Sequence, residues 1–206
     1  MTDKSSRRLS ESSRVEAFSD GVFSIAITLL ILELAVPAIT GGFGSQLLDE
    51  WVSYVAYLAA FWTIGVLWMG HHTVFSLIRG VDAGLLWRNL VLLLTVSAVP
   101  FPTAVIASAY RVGNDADRAA AVVSYAVVGM ASGVGWMLLL RYLASHRNLT
   151  DPDVDPQFFR LSTPLVTLAG YGAAALIGWF LSPALALAIF LVFPILYLLR
   201  VRSQAG

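Results

Sequence analysis

Residues 14–36 read RVEAFSDGVFSIAITLLILELAV. The run is apolar for about 20 residues, long enough to cross a bilayer at about 1.5 Å per residue. It nevertheless opens on Arg14, Glu16, Ser19 and Asp20 and carries Glu33 near its far end. A charge at the centre of a membrane helix costs roughly 2.5–3.5 kcal/mol on insertion scales, and less near the interface. A helix with these groups therefore turns part of its surface to protein or water. At about 100° per residue, Phe18, Ile25, Leu29, Leu32 and Val36 share one stripe, Ser24 and Thr28 flank it, and Asp20 points nearly the opposite way. Such a stripe is commonly a packing seam. The sharper reading is a pore helix, whose symmetric copies close a ring with the aliphatics as a constriction that gates by dewetting.

The rest of the chain has the same solvent. Of 206 residues, 58% are hydrophobic and 13% charged, against about 25% charged in a soluble domain. This is the composition of an integral membrane protein. The absence of cysteine excludes disulfides, thiolate metal sites and cysteine nucleophiles. Residues 1–13 are polar and basic and read as a short mobile tail; the apolar run after them is too long for a signal peptide and lacks a small-residue cleavage site.

Six apolar spans follow in order, near residues 15–36, 51–75, 85–110, 118–142, 158–181 and 183–199. Pro37, Gly41, Gly42 and Gly44 break the chain after the first. Pro100 and Pro102 lie inside the third and predict a kink or break there. Residues 144–157, with Asp151, Asp153 and Asp155, are the longest polar stretch between spans and read as a soluble surface loop. With the N-terminus inside, Lys4, Arg7, Arg8, Arg14, Arg79, Arg88, Arg141, Arg147, Arg160, Arg200 and Arg202 fall on the cytoplasmic side, leaving only Arg111 and Arg118 outside. That asymmetry implies six crossings with both termini cytoplasmic.

The outer loops carry Asp49, Glu50, Asp115 and Asp117. They read first as ordinary solvated acids, although an acidic mouth also attracts cations. Gly170-Tyr171-Gly172 has the letters of a potassium filter, but it sits in a full-length apolar span followed by three alanines, where small residues serve close helix packing. Gly129 and Gly133, a GxxxG pair, read the same way. His71 and His72 are adjacent, so on a helix they diverge by about 100° and do not chelate together. Topology instead puts Arg14, Ser19, Asp20, one of these histidines, Arg88 and Asn89 at similar depth. A polar network there locks the first helix in register; the other use of the same residue types is a proton relay. No nucleophile–base set or phosphate loop is present, and an enzyme is not expected.

Arg14-x-x-x-Phe18-Ser19-Asp20, Trp68-x-x-His71-His72-x-x-Phe75, Asn89-Leu90 and Pro100-Phe101-Pro102-Thr103 together resemble the lysosomal potassium channel family (transmembrane protein 175 family) and its bacterial homologues, over residues 14 to about 103. The resemblance implies an all-helical channel without a re-entrant filter loop. Animal members have two six-helix repeats and bacterial members one, assembled as tetramers. It implies that helix one lines the pore, that Ile25, Leu29 and Leu32 are the constricting aliphatics, and that Ser24 and Thr28 hold the positions whose hydroxyls bear on selectivity. It also implies that Arg14, Phe18, Ser19 and Asp20, with His71, His72 and Asn89, tie helix one to its neighbours. Family members prefer potassium to sodium, the bacterial ones weakly, and the animal channel also passes protons.

The expectation is an all-α membrane protein with six transmembrane helices per subunit, a homotetramer with helix one lining a central pore. Residues 1–13 and 201–206 form cytoplasmic tails around a channel domain at 14–200. The expected function is a weakly selective, potassium-preferring cation channel in a bacterial plasma (inner) membrane. The alternative is a proton-conducting or proton-coupled carrier using Asp20 and a helix-two histidine. No cofactor, bound metal or nucleic acid is expected; the partners are lipid bilayer, permeant K+ and other monovalent cations.

Overall fold

Among the described residues eight α-helices follow one another: α1 Thr2–Leu29, α2 Phe43–Asp49, α3 Trp51–Phe75, α4 Ala83–Ser97, α5 Pro100–Val112, α6 Asp115–Ser145, α7 Ser162–Phe180 and α8 Pro183–Gln204. The structure, a computed structural model, describes residues 2–36 and 41–204, with side chains over 12–36 and 41–196. Among the described residues there is no strand, only an isolated bridge between Ile78 and Thr150. Five stretches among the described residues are long and apolar enough to cross a membrane: Ser12–Glu33, Trp51–Phe75, Ala83–Val112, Asp115–Ser145 and Pro156–Phe180. A sixth, Pro183–Leu196, is shorter and has Pro194 inside its helix.

Several boundaries differ from the sequence reading, each for a local reason. The backbone of residues 2–13, expected as a mobile tail, is helical and continues α1; they contain neither Gly nor Pro to interrupt it. At its other end α1 stops at Leu29 and tightens into a 3-10 turn, Leu30–Glu33, before Leu34 becomes extended. Residues 43–49, expected as loop, form the short helix α2, started by Gly42 at φ +66°. Pro37 lies outside the described residues. At the two prolines the expected break is a tightened joint. Neither Pro100 nor Pro102 has an N–H to give, and the backbone turns to shorter-range bonds, Val99 N–H to Val96 O (3.1 Å) and Phe101 N–H to Ala98 O (3.2 Å), with Pro100 opening α5.

The linker after α6 is not a free loop. The Asp151 N–H donates to Leu77 O (2.9 Å), and the Arg79 and Gly80 N–H groups both donate to Leu149 O (2.8 and 3.1 Å). Arg79 also pairs with Asp151, and the Arg147 guanidinium donates to Val154 O. Leu149 and Phe159 are buried with Val74, Leu85, Leu139 and Leu143, which makes a second apolar cluster under the α3–α4 turn. The larger cluster lies along the bundle and joins α1, α3, α4, α5, α6, α7 and α8. Within it α1 rests on α3, α4 and α5, while α7 and α8 rest on α6 and α3.

The α6–α7 seam depends on missing side chains. A Cβ added at Gly129 would fall 2.5 Å from the Tyr171 ring, and one at Gly133 3.2 Å from Leu168. Gly170 and Tyr171 lie in the middle of α7, as expected of packing residues and not of a filter loop. Tyr171 is buried and its hydroxyl lies 3.2 Å from Thr63 Oγ1, which also accepts from Tyr125 at 3.3 Å. Gly129→Ala is expected to push this ring aside and cost about 1–3 kcal/mol, as overpacked cores do. Gly65→Ala, where nothing lies within 4 Å, is expected to be neutral or to stabilise by up to about 1 kcal/mol from helix propensity. Thermal unfolding in detergent separates the two.

Candidate functional site

Two faces of α1 have opposite surroundings. On one, Ser19, Phe23, Ala26 and Leu30 are buried against the bundle. On the other, Ile25 is 60% exposed, Leu29 43% and Leu32 74%, with Phe18 and Val36 also exposed at either end. The 3-10 turn matters here. In a continuing α-helix Leu32 would sit about 60° round from Leu29, whereas at three residues per turn the two eclipse. Ser24 and Thr28 are exposed beside the stripe. The Thr28 hydroxyl proton is spent on its own helix, shared between Ser24 O (2.9 Å) and Ile25 O (3.0 Å). Its oxygen lone pairs are what remains to face outward.

The buried face is held by two polar layers. In the first, the direction of every bond can be assigned. Ser19 Oγ donates to Val15 O at 2.8 Å, so its lone pair accepts from Asn89 Nδ2 at 2.9 Å. Asn89 Oδ1 is then the acceptor for His71, and Nε2 of that ring, 2.9 Å away, carries the proton. Ser19, His71 and Asn89 are all essentially inaccessible. His71 stacks on Phe75 with centroids 4.0 Å apart and meets Phe23 at 5.3 Å. Its Nδ1 is buried with no hydrogen-bond partner among the described residues. An α1 hydroxyl, an α4 amide and an α3 imidazole thus form one donor chain that ends on a backbone carbonyl.

The second layer lies nearer the surface. Trp68 Nε1 donates to Asp20 Oδ1 at 2.9 Å, and His72 Nδ1 lies 3.0 Å from Glu16 Oε1. Glu16 and Asp20 are four apart on α1, as are Trp68 and His72 on α3, so each pair lies on one helix face. Antiparallel helices then match Glu16 to His72 and Asp20 to Trp68. Trp68 stacks on His72 at 5.9 Å and stiffens the α3 side.

The structure thus brings Ser19, His71 and Asn89 together and places Asp20 and His72 beside them. It leaves out three residues. Arg14 is exposed and makes no hydrogen bond or ion pair among the described residues; Phe18 is exposed on the stripe; and the Arg88 guanidinium donates to Gly84 O and lies over the Tyr142 ring. Asp20 is bonded to neither histidine. The sequence reading missed Trp68 and Glu16 as partners. The signal was present in the matched i, i+4 pairs, but which helix faces which is a tertiary fact.

At the other end Glu50 is not a simple solvated acid. Its carboxylate accepts from Arg111 Nε (2.8 Å) and NH2 (3.2 Å) and from Ser53 Oγ (2.8 Å), which clasps the start of α3 to the end of α5. The hydrogen-bonded Arg111 guanidinium holds the Glu50 carboxyl below the usual range. Among the described residues no cluster of three or more metal-ligating side chains occurs.

Residues 14–100 match the family described as endosomal/lysosomal potassium channel TMEM175. A potassium channel of Streptomyces collinus is 43% identical over 183 residues, covering 87% of this chain and 88% of that one. The crystal structure of a lysosomal potassium-selective channel TMEM175 homolog from Chamaesiphon minutus superposes with a TM-score of 0.80 at 36% identity, over 93% of this chain and 98% of that one. The endosomal/lysosomal proton channel TMEM175 of Mus musculus is 35% identical over 104 residues, which are 42% of this chain and 19% of that longer protein.

Proposed function

We propose, because the chain belongs to the endosomal/lysosomal potassium channel family TMEM175, that it is a potassium-preferring, weakly selective channel whose pore is lined by α1. Membership makes it a membrane-embedded cation channel and not an enzyme. The finer reading is a homotetramer in a bacterial plasma membrane with both termini cytoplasmic. In it Ile25, Leu29 and Leu32 of each subunit close the pore. The observation that carries it is the exposure of this stripe on a helix whose opposite face is fully buried. A ring of copies is what gives such a stripe a partner.

The chemistry follows from the side chains. Aliphatic rings offer no ligand, so an ion passing them sheds part of its hydration shell, and potassium sheds water more readily than sodium. The outward oxygens of Ser24 and Thr28 offset some of that loss. No ring of carbonyls replaces the shell completely, so selectivity is modest. The Ser19–Asn89–His71 chain and the Glu16/Asp20–His72/Trp68 pairs hold α1 in register against α3 and α4, and with it the ring.

A second reading, proton conduction, is favoured by the name of the mammalian relatives. The route through Asp20 and a histidine has little support: Asp20 is bonded to Trp68, and His71 to an amide that cannot take up and pass on a proton. The test is the bi-ionic reversal potential of the purified protein in planar bilayers, potassium against sodium and then under a pH gradient. A potential displaced toward potassium and unmoved by pH is the expected result. One that follows the proton gradient moves the assignment to proton conduction. A stable monomer in detergent removes a shared pore altogether.

A further inference from the structure

A cavity of about 640 Å³ opens between α3, α6 and α7 on the side of the bundle away from α1, and nothing in the channel reading uses it. It runs from Thr63 to Val74 along α3 and from Gly129 to Leu140 along α6. At 1.5 Å per residue each wall is about 16 Å long, which is half of a hydrocarbon core about 30 Å thick. The cavity therefore occupies one leaflet, the one at the linker end.

Its polar demand is confined to the mouth. Three hydroxyls along its walls are already satisfied on their own helices: Thr73 donates to Met69 O, Ser132 to Val128 O and Thr167 to Thr163 O, while Ser162 and Thr163 lie at the linker end where α7 begins. The inner end is closed by the Thr63–Tyr171 pair, which is satisfied with Tyr125. Met69, Trp136, Leu140 and Phe193 supply the apolar lining. At the mouth stand Arg160, Gln157 and Asp155. The Asp155 carboxylate accepts from the Gln157 N–H at 2.8 Å. The exposed Arg160 guanidinium has no hydrogen bond or ion pair among the described residues, so a cation is left at the rim of an apolar slot one leaflet deep.

We propose that this groove holds one acyl chain of a phospholipid from that leaflet, with the lipid phosphate on Arg160. A guanidinium meets phosphate oxygens through paired N–H donors, while the slot buries a tail and asks for no polar group from it. The proposal is independent of the pore assignment, because none of its residues lies on α1.

The experiment uses the full chain purified in detergent, stripped of lipid, then incubated with a phosphatidylglycerol bearing a photoreactive group near the end of one acyl chain. Adducts are mapped by mass spectrometry of the peptides. The expected result is labelling concentrated on Met69, Trp136 and Phe193. Thr73→Trp, which fills the slot from an exposed position, should lower that labelling about tenfold, and Thr167→Trp does the same from the facing helix. Arg160→Gln should lower retention of the lipid through detergent washes several-fold and leave thermal unfolding unchanged. Labelling spread equally over the outward Trp179 and Leu185 overturns the proposal. So does labelling that neither tryptophan variant reduces, or a cross-link from Met69 to a second copy of the chain, which would make the slot a subunit contact.

Discussion

Asn89→Leu is expected to destabilise the protein by about 1–3 kcal/mol, the cost of a buried donor left without an acceptor. The orphan is His71 Nε2–H, 2.9 Å from the lost Oδ1. A hydrogen bond inside a membrane protein is worth only about 0.6 kcal/mol on average, because separated helices also find partners. The larger loss therefore comes from the stranded group and not from the bond. That distinction can be measured. Replacing both partners, Asn89→Leu with His71→Phe, removes the orphan and lets a phenyl ring stack between Phe75 and Phe23 as the imidazole does. The double variant should recover most of the unfolding temperature lost in the single one. If it falls further instead, the polar layer is needed for more than satisfying His71. The α1–α3–α4 seam sets the position of α1, so in the proposed tetramer Asn89→Leu should also weaken subunit assembly, read by size-exclusion chromatography. His72→Gln, whose carboxamide N–H can still donate to Glu16 on the exposed layer, should do neither.

Leu29→Ala is expected to leave folding almost untouched and to raise potassium current about tenfold, the change that a fall of about 1.4 kcal/mol in the barrier produces. Leu29 is 43% exposed on the isolated chain, so truncation leaves no closed cavity and carries little of the usual core penalty. In a ring, the same truncation acts once per subunit at a single level and widens the aliphatic constriction. Ile25→Asn tests the chemistry instead of the width. If Ile25 forms the first level of the proposed ring, carboxamides in place of aliphatics there return ligands to the ion and should reduce the preference for potassium over sodium. Both are read from single-channel conductance and bi-ionic reversal potentials. Unchanged values in both variants remove these side chains from the conduction path, whatever the assembly. A change in Leu29→Ala alone would place the narrowest level at Leu29 and Leu32, which the 3-10 turn brings into line.

Much of this was written in the order of residues. Residue type and period were enough for an all-helical membrane protein, for the stripe of Ile25, Leu29 and Leu32, and for the joint at Pro100. Lipid allows few alternatives: a chain with little charge and long apolar runs satisfies its backbone as helices, and a helix has one period. The same reasoning found the depth at which Ser19, Asn89 and the histidines would meet, since span order alone sets depth.

What the order of residues left open is who faces whom. Adjacent histidines diverge by about 100°, and only the packing decides that His71 turns inward to Asn89 while His72 turns outward to Glu16. The pairing of Asp20 with Trp68, the lack of a partner for Arg14 among the described residues and the strap from Asp151 to the α3–α4 turn are of the same kind. So is the slot beside Trp136, lined by residues of α3, α6 and α7 that lie far apart in the chain. Local pattern determines an element and the depth of its residues; rotation about the helix axis and contact between distant elements are settled by the summed packing of the whole bundle, which no single stretch encodes.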